Sequence, residues 1–288
     1  MIIAIPTNNT GKEVPGRGQN AAYVKYVDNA GFTPVLVPME ADVAEIADMA
    51  DGLLLAGGID IDPMHYGISN YSSFGVDPEK DAHERSMLHA FREQGKSVFG
   101  ICRGHQLIAR ELMDAFPGPL DPFLDYVEHI GRHAQTSDLH MKRNYPSHMV
   151  RANETGLYNV TGDEAPELIT MGVNSMHHQA VAMNFVAVAD HFGEFVNFDA
   201  IPKDEPSITS FENFEMLAWS MRGISQPTIG KEPDYVGYWA IVEAFQVHNW
   251  GAPIMSVQWH PEELNDVALI RNFFDNAVIQ AAVIAAGE

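Results

Sequence analysis

Short apolar runs and stretches of helical periodicity alternate through the first part of this chain. Residues 2–6 are almost wholly apolar, the pattern of a strand buried on both faces. Over residues 19–30, Ala22, Tyr23, Tyr26, Val27 and Ala30 recur on one helical face, and Gly31 is placed to end that helix. Residues 33–38 predict a second strand, 41–50 a short helix, and 52–56 a third strand that runs directly into Gly57-Gly58. A helix of mixed charge follows over 79–94, then an apolar run from Val98 to Ile101, then helical spacing from Leu107 to Met113. Such alternation implies an α/β fold with a mixed, mainly parallel sheet, helices on both faces and right-handed crossovers. Ligand sites in these sheets lie beyond the C-terminal ends of the strands. Gly57-Gly58 and Cys102, the single cysteine, both fall at such ends.

The pattern then weakens. Residues 117–146 are rich in Pro and His and read as loops with short edge elements. Strands are expected at Met149-Val150, 168–173, 185–189, 241–245 and 254–258, and a terminal helix at 265–286. Between them, residues 191–235 carry Pro, Gly and acidic residues around one apolar island, Met216-Leu217-Ala218-Trp219. A connection this long in a compact domain is unusual, so it reads as an insertion or lid, with Trp219 and Trp239 as expected aromatic walls of the pocket mouth. The whole chain, residues 1–288, is expected to be one domain carrying that insertion.

Composition narrows the function classes. A formal net charge of −22 argues against nucleic acid and against an anionic membrane surface as partners, because both would be repelled. One cysteine cannot form an internal disulfide, the first residues lack the charged start of a signal peptide, and no apolar run approaches the roughly 18 residues of a membrane span. A cytoplasmic location is the expectation.

The chemistry centres on Gly100-Ile101-Cys102-Arg103-Gly104, a G-x-nucleophile-x-G elbow with Cys as nucleophile. Small flanking residues permit the strained strand-to-helix turn that pushes the sulfur out above the sheet, at a helix N-terminus whose dipole favours negative charge. A thiolate needs a base, and the base an orienting group. His260 and Glu262 qualify: both follow a strand, Pro261 stiffens the turn between them, and residues two apart in an extended segment point the same way. Backbone N–H groups at Gly57-Gly58 and at Arg103, the residue after the nucleophile, suit a developing oxyanion.

Four segments together resemble the class I glutamine amidotransferase-like superfamily. They are Leu53-Leu54-Leu55-Ala56-Gly57-Gly58-Ile59-Asp60-Ile61-Asp62-Pro63, Gly100-Ile101-Cys102-Arg103-Gly104-His105-Gln106, Asn174-Ser175-Met176-His177-His178-Gln179 and Val257-Gln258-Trp259-His260-Pro261-Glu262. More narrowly they resemble its peptidase C26 branch, the γ-glutamyl-γ-aminobutyrate hydrolases of putrescine breakdown. The resemblance implies flavodoxin-like layering, Cys102 as nucleophile, His260 as base, Glu262 as its partner, and the Gly58 and Arg103 amides as oxyanion hole. It places Gln106, His177 and Gln179 near the γ-glutamyl group of a small-molecule substrate and implies no cofactor. Lys80-Asp81-Ala82-His83-Glu84 resembles the family's Arg-Asp-x-x-Glu helix start, with Lys in place of Arg, whose bidentate contacts Lys cannot make. Ala56 stands where the family usually has Pro, and residues 191–235 exceed its usual connection.

The remaining histidines, His129 and His133 flanking Gly131, then His140 and His148, come without the Cys or carboxylate spacing of a known metal site, so no metal is expected. The motifs imply an amide hydrolase acting through a γ-glutamyl thioester. The same residues would serve a glutaminase subunit that passes ammonia to a separate synthetase. A third reading is a non-catalytic binding protein on the same fold, which has no need of three filled roles. A second copy of the chain and, for the amidotransferase reading, a synthetase are the candidate protein partners.

Overall fold

The computed structural model describes residues 1–9, 16–66, 73, 75–116, 124–128, 140–158, 168–184, 210–211, 213–220 and 239–286. In chain order the strands are β1 (Ile2–Pro6), β2 (Asn8–Asn9), β3 (Arg17–Gly18), β4 (Thr33–Val37), β5 (Gly52–Leu55), β6 (Ser97–Ile101), β7 (Leu124–Glu128), β8 (His148–Asn153), β9 (Leu168–Val173), β10 (Gln179–Asn184), β11 (Ser210–Phe211), β12 (Phe214–Ser220), β13 (Trp239–Val247) and β14 (Ile254–Val257). The helices are α1 (Ala21–Asn29), α2 (Val43–Met49), α3 (Pro78–Glu93), α4 (Arg103–Ala115), α5 (Glu154–Tyr158), α6 (Pro261–Leu264) and α7 (Val267–Ala286). None of the described helices is long and apolar enough to cross a membrane.

Among the described residues twelve strands form one mixed sheet. Its first half, in the order β4-β1-β5-β6-β14, is parallel throughout. Antiparallel strands β13, β12, β8 and β9 continue it, while β10 pairs with the start of β13 and carries β7. Strand burial follows the period of two. Leu53 and Leu55 join α3 and α4 residues Met87, Leu88, Phe91, Leu107, Ile108 and Leu112 in one layer. Leu54, Ile3, Ile5, Phe99 and Ile101 pack on the other side with Tyr23, Tyr26 and Val27 of α1 and Leu269, Ile270, Phe273 and Phe274 of α7. Covering both faces is what allows β1, β5 and β6 to be apolar in succession, each such side chain contributing about 1.5–3 kcal/mol.

Register brings the motifs together. Leu55 pairs with Gly100 across β5 and β6, and Val257 pairs with Ile101 across β14 and β6. Gly57-Gly58, Cys102 and the segment ending in His260 therefore leave the sheet side by side at its C-terminal edge. Local caps agree with the sequence: Asn20 accepts from the Ala22 N–H to start α1, Gly31 follows its end at φ 87°, and Asp77 caps α3 with Pro78 at the first helical position.

One expectation is corrected. The apolar island at 216–219 belongs to β12, paired along β13, and Trp219 is buried in the core with Phe214, Met216 and Phe245 instead of walling a pocket mouth. An apolar island within a polar stretch is also what a single buried strand looks like, and pairing with β13 decides between the two. The expected strand at 185–189, and residues 191–209 and 221–235 of the expected insertion, lie outside the described residues.

Candidate active site

Cys102 follows β6 and precedes α4 with φ 52° and ψ −100°, a conformation that costs a non-glycine residue energy and persists only where its surroundings hold it. Its N–H donates to Val257 O at 2.8 Å, and its carbonyl accepts from the Gln106 N–H at 3.1 Å. The flanking glycines are steric requirements. A methyl on Gly100 would lie 2.6 Å from Ile108 Cδ1 and 2.9 Å from the Gly104 backbone, and one on Gly104 would overlap Leu55 O. Their absence lets α4 settle onto β5 and β6. Cys102 is only 5 % exposed, so the thiol is buried and closely covered instead of being pushed out to solvent as the elbow pattern suggests.

Gly57 explains the cover. A methyl there would overlap the Tyr23 hydroxyl and lie 2.9 Å from His260 Cε1 and 3.4 Å from Cys102 Cβ, so three side chains converge on one missing one. His260 caps α6, and Glu262 sits in that helix's first turn, not in the extended segment that the sequence suggested. The contact forms all the same: His260 Nδ1 and Glu262 Oε1 are 2.7 Å apart. The Tyr23 hydroxyl lies 3.2 Å from the same nitrogen and accepts the Gly57 N–H at 3.1 Å. Asn174 fixes the His260 backbone, accepting its N–H at 2.9 Å and donating to its carbonyl at 3.0 Å, with a further donation to Arg143 O at 2.8 Å. Tyr23 and Asn174 are contacts of His260 that sequence reasoning misses. Periodicity assigns Tyr23 only to a core face, and Asn174 stands in a motif without a role of its own.

Electrostatics set the protonation states. Burial by itself pushes the His260 imidazole down, but the Glu262 carboxylate and the Cys102 sulfur outweigh it and raise the ring to about 10. Burial, with Glu262 and Cys102 adding to it, holds the Tyr23 phenol well above its ordinary value, so the hydroxyl keeps its proton. With Glu262 on Nδ1, the buried Nε2 is the ring nitrogen that remains.

Gly58 follows Gly57, Arg103 follows Cys102, and a methyl on Gly58 would lie 3.5 Å from Arg103 Cδ. The Arg103 guanidinium is buried between Asp81 and Glu84, and Glu84 also pairs with Lys80. Burial and the neighbouring Arg103 charge push the Lys80 amine down to about 6. Gln106, His177 and Gln179 interlock with one another. Gln106 Nε2 donates to Gln179 O at 2.7 Å and to Gln258 Oε1 at 3.2 Å, His177 Nδ1 is 2.8 Å from Gln179 O, and Gln179 Nε2 donates to Ile61 O at 3.1 Å and to Ser73 Oγ. They form a buried polar cluster tied to the loop after β5 and to Gln258 just past β14. Among the described residues no three His, Cys, Asp or Glu side chains group as a metal site. His148 instead pairs with Glu243 at 2.8 Å, and His129 and His133 lie outside the described residues.

Comparison with known proteins gives this geometry its context. The Peptidase C26 family matches residues 2–193. A candidate glutamine amidotransferase of Mycobacterium tuberculosis is 26% identical over 272 residues, covering 92% of this chain and 69% of that protein. The gamma-glutamyl-gamma-aminobutyrate hydrolase of Escherichia coli O157:H7 is 31% identical over 163 residues, 54% of this chain and 61% of that one. In fold, the solved structure of a candidate GMP synthase component from Thermoplasma acidophilum superposes with a TM-score of 0.52 at 16% identity, over 99% of this chain and 98% of its own. With two thirds of its residues matched by the family and its elbow, sheet order and layering in place, the chain belongs to the Peptidase C26 family of class I glutamine amidotransferase-like hydrolases.

Proposed function

We propose that the chain is a cysteine-dependent hydrolase of γ-glutamyl amides. The observation that carries this is the buried His260, held through Nδ1 by Glu262 and raised by both Glu262 and Cys102, beside a nucleophile elbow in a family of amide hydrolases. The Cys102 thiolate attacks the γ-carbonyl, and the Gly58 and Arg103 amides take the oxyanion. The imidazolium gives its Nε2 proton to the nitrogen as the C–N bond breaks, leaving a γ-glutamyl thioester and the departing amine. His260 then takes a proton from water, whose oxygen attacks the thioester, and collapse releases glutamate and the thiolate. Glu262 carries the charge balance of both half-reactions, with Tyr23 as a second contact on the same nitrogen. Gln106, His177 and Gln179 supply the wall against which the γ-glutamyl group would lie. No cofactor takes part in these steps.

Relatives named gamma-glutamyl-gamma-aminobutyrate hydrolase support an amine-releasing substrate of that kind. A relative that matches over 92% of this chain is named for amidotransferase activity, which favours the second reading, a glutaminase that passes ammonia to a partner synthetase. One experiment separates them: incubation of the pure protein with glutamine and a panel of γ-glutamyl amines, measuring glutamate. Release without any partner supports the hydrolase; release only with a second protein supports the amidotransferase; none under either condition favours a binding protein.

A further inference from the structure

Four ionisable side chains that the mechanism does not use are packed behind the two oxyanion amides, each about 1 % exposed: Lys80, Asp81 and Glu84 from the start of α3, and Arg103 from the first residue of α4. The two oxygens of Glu84 are divided between Lys80 and Arg103, and Asp81 takes the other arm of the guanidinium. A methyl on Gly58 would lie 3.5 Å from Arg103 Cδ and 3.6 Å from Lys80 Cε, so the stems of both side chains rest against that glycine. Asp81 also accepts the Asp62 N–H at 3.2 Å, which ties the loop after Gly58 to the same group. One ionic network thus joins the loop that carries one oxyanion donor, the helix N-terminus that carries the other, and the first turns of α3.

Such a network is a poor way to gain stability, because desolvation of buried ions costs several kcal/mol each and apolar replacements are often neutral or better. It is a good way to fix geometry. We propose that Lys80, acting with Glu84, Asp81 and Arg103, is a positioning residue that holds the Gly58 and Arg103 amides at the spacing a tetrahedral oxyanion requires. Arg103 links the two functions directly, since its amide is a donor and its guanidinium is what the network grips. The inference rests on the oxyanion assignment made above, but not on the identity of the substrate.

The test compares two reactions of Cys102 in the full-length protein. Acylation by p-nitrophenyl acetate forms a C–S bond through a tetrahedral oxyanion and expels nitrophenolate, which is followed as a burst. Alkylation by iodoacetamide displaces iodide at a saturated carbon and passes through no oxyanion. In Lys80→Met, acylation is expected to slow by about 10- to 100-fold, as displacement of positioned groups does, while alkylation stays within about twofold. Lys80→Arg, which keeps a donor to Glu84 at that point, should recover most of the acylation rate. Asp81→Asn loosens the guanidinium from the other side and gives the same comparison should Lys80→Met not fold. Equal acylation in wild type and variants overturns the proposal, and so does a parallel fall in both reactions. A wild type acylated no faster than a small free thiol removes the oxyanion hole and the clamp with it. Acylation in the expected order without hydrolysis of any γ-glutamyl amide removes only the substrate assignment.

Discussion

Replacing Glu262 by Gln removes a charge while nearly preserving shape. The carboxylate is 2.7 Å from His260 Nδ1 and its side chain is fully buried. Unit charges about 4 Å apart at an effective dielectric constant of about 20 interact by about 4 kcal/mol. At about 1.4 kcal/mol per power of ten, the imidazolium loses up to about a thousandfold in stabilisation. A second loss concerns the tautomer. Tyr23 accepts the Gly57 N–H, which directs its own proton towards the Glu262–His260 pair. With only the weaker acceptor of a neutral amide in its place, that proton goes to Nδ1 and leaves the ring hydrogen on Nε2, facing the sulfur that needs a base. Glu262→Gln is therefore expected to lower turnover about 100- to 1000-fold, in line with third members of other triads. Adding Tyr23→Phe should recover part of that loss, although Tyr23→Phe by itself slows the enzyme. The assay is glutamate release together with the pH profile of iodoacetamide alkylation of Cys102. The limb set by His260 should move to lower pH, because a neutral amide no longer favours the cation. Unchanged rates and profiles would show that Glu262 does not orient His260, and a double variant as slow as the product of the two singles would refute the tautomer step.

Gly104→Ala should cost at least about 3 kcal/mol in urea unfolding, because its methyl meets the Leu55 backbone, whereas Gly57→Ala should cost less stability and nearly all turnover, because its methyl meets Tyr23 and His260. Asn174→Ala leaves the His260 N–H and carbonyl without their side-chain partner, so stability should fall by about 1–3 kcal/mol and kcat should fall more than KM changes. Lys80 gives a pH dependence of stability with a definite sign. Its amine is pushed from an ordinary 10.5 to about 6, so between those values the unfolded chain binds the extra proton and stability rises with pH. The Tm of wild type minus that of Lys80→Met should therefore grow as the pH is raised from about 6 to about 9; a constant difference would mean that the amine is not depressed.

The parallel half of the sheet was legible because strands buried on both faces are written as unbroken apolar runs, as at Leu53-Leu54-Leu55 and Val98-Phe99. The elbow was legible because two glycines around a lone cysteine have a single common cause, the approach of α4 to β5 and β6. The antiparallel half was harder. Strand β12 is an apolar island inside a polar stretch, and only its pairing with β13 separates a core strand from a pocket wall. Tyr23 was invisible for a different reason. Helical periodicity assigns a tyrosine to a face but says nothing of what its hydroxyl reaches, and here the hydroxyl meets a histidine 237 residues away in sequence. Spacing points to Glu262 through an extended segment, whereas the segment is a helical turn, and the turn presents the carboxylate to Nδ1 equally well. Lys80 stood out as a departure from a family pattern, yet its place behind Gly58 depends on three segments that only the fold brings together.

The most direct test of the central claim is mass spectrometry of the Cys102 peptide after a rapid acid quench of the protein turning over a γ-glutamyl amide. The reaction described here requires an adduct of one γ-glutamyl group on Cys102, lost on standing as glutamate appears, and neither adduct nor glutamate in a folded Cys102→Ala. Glutamate released by Cys102→Ala at the wild-type rate would contradict it.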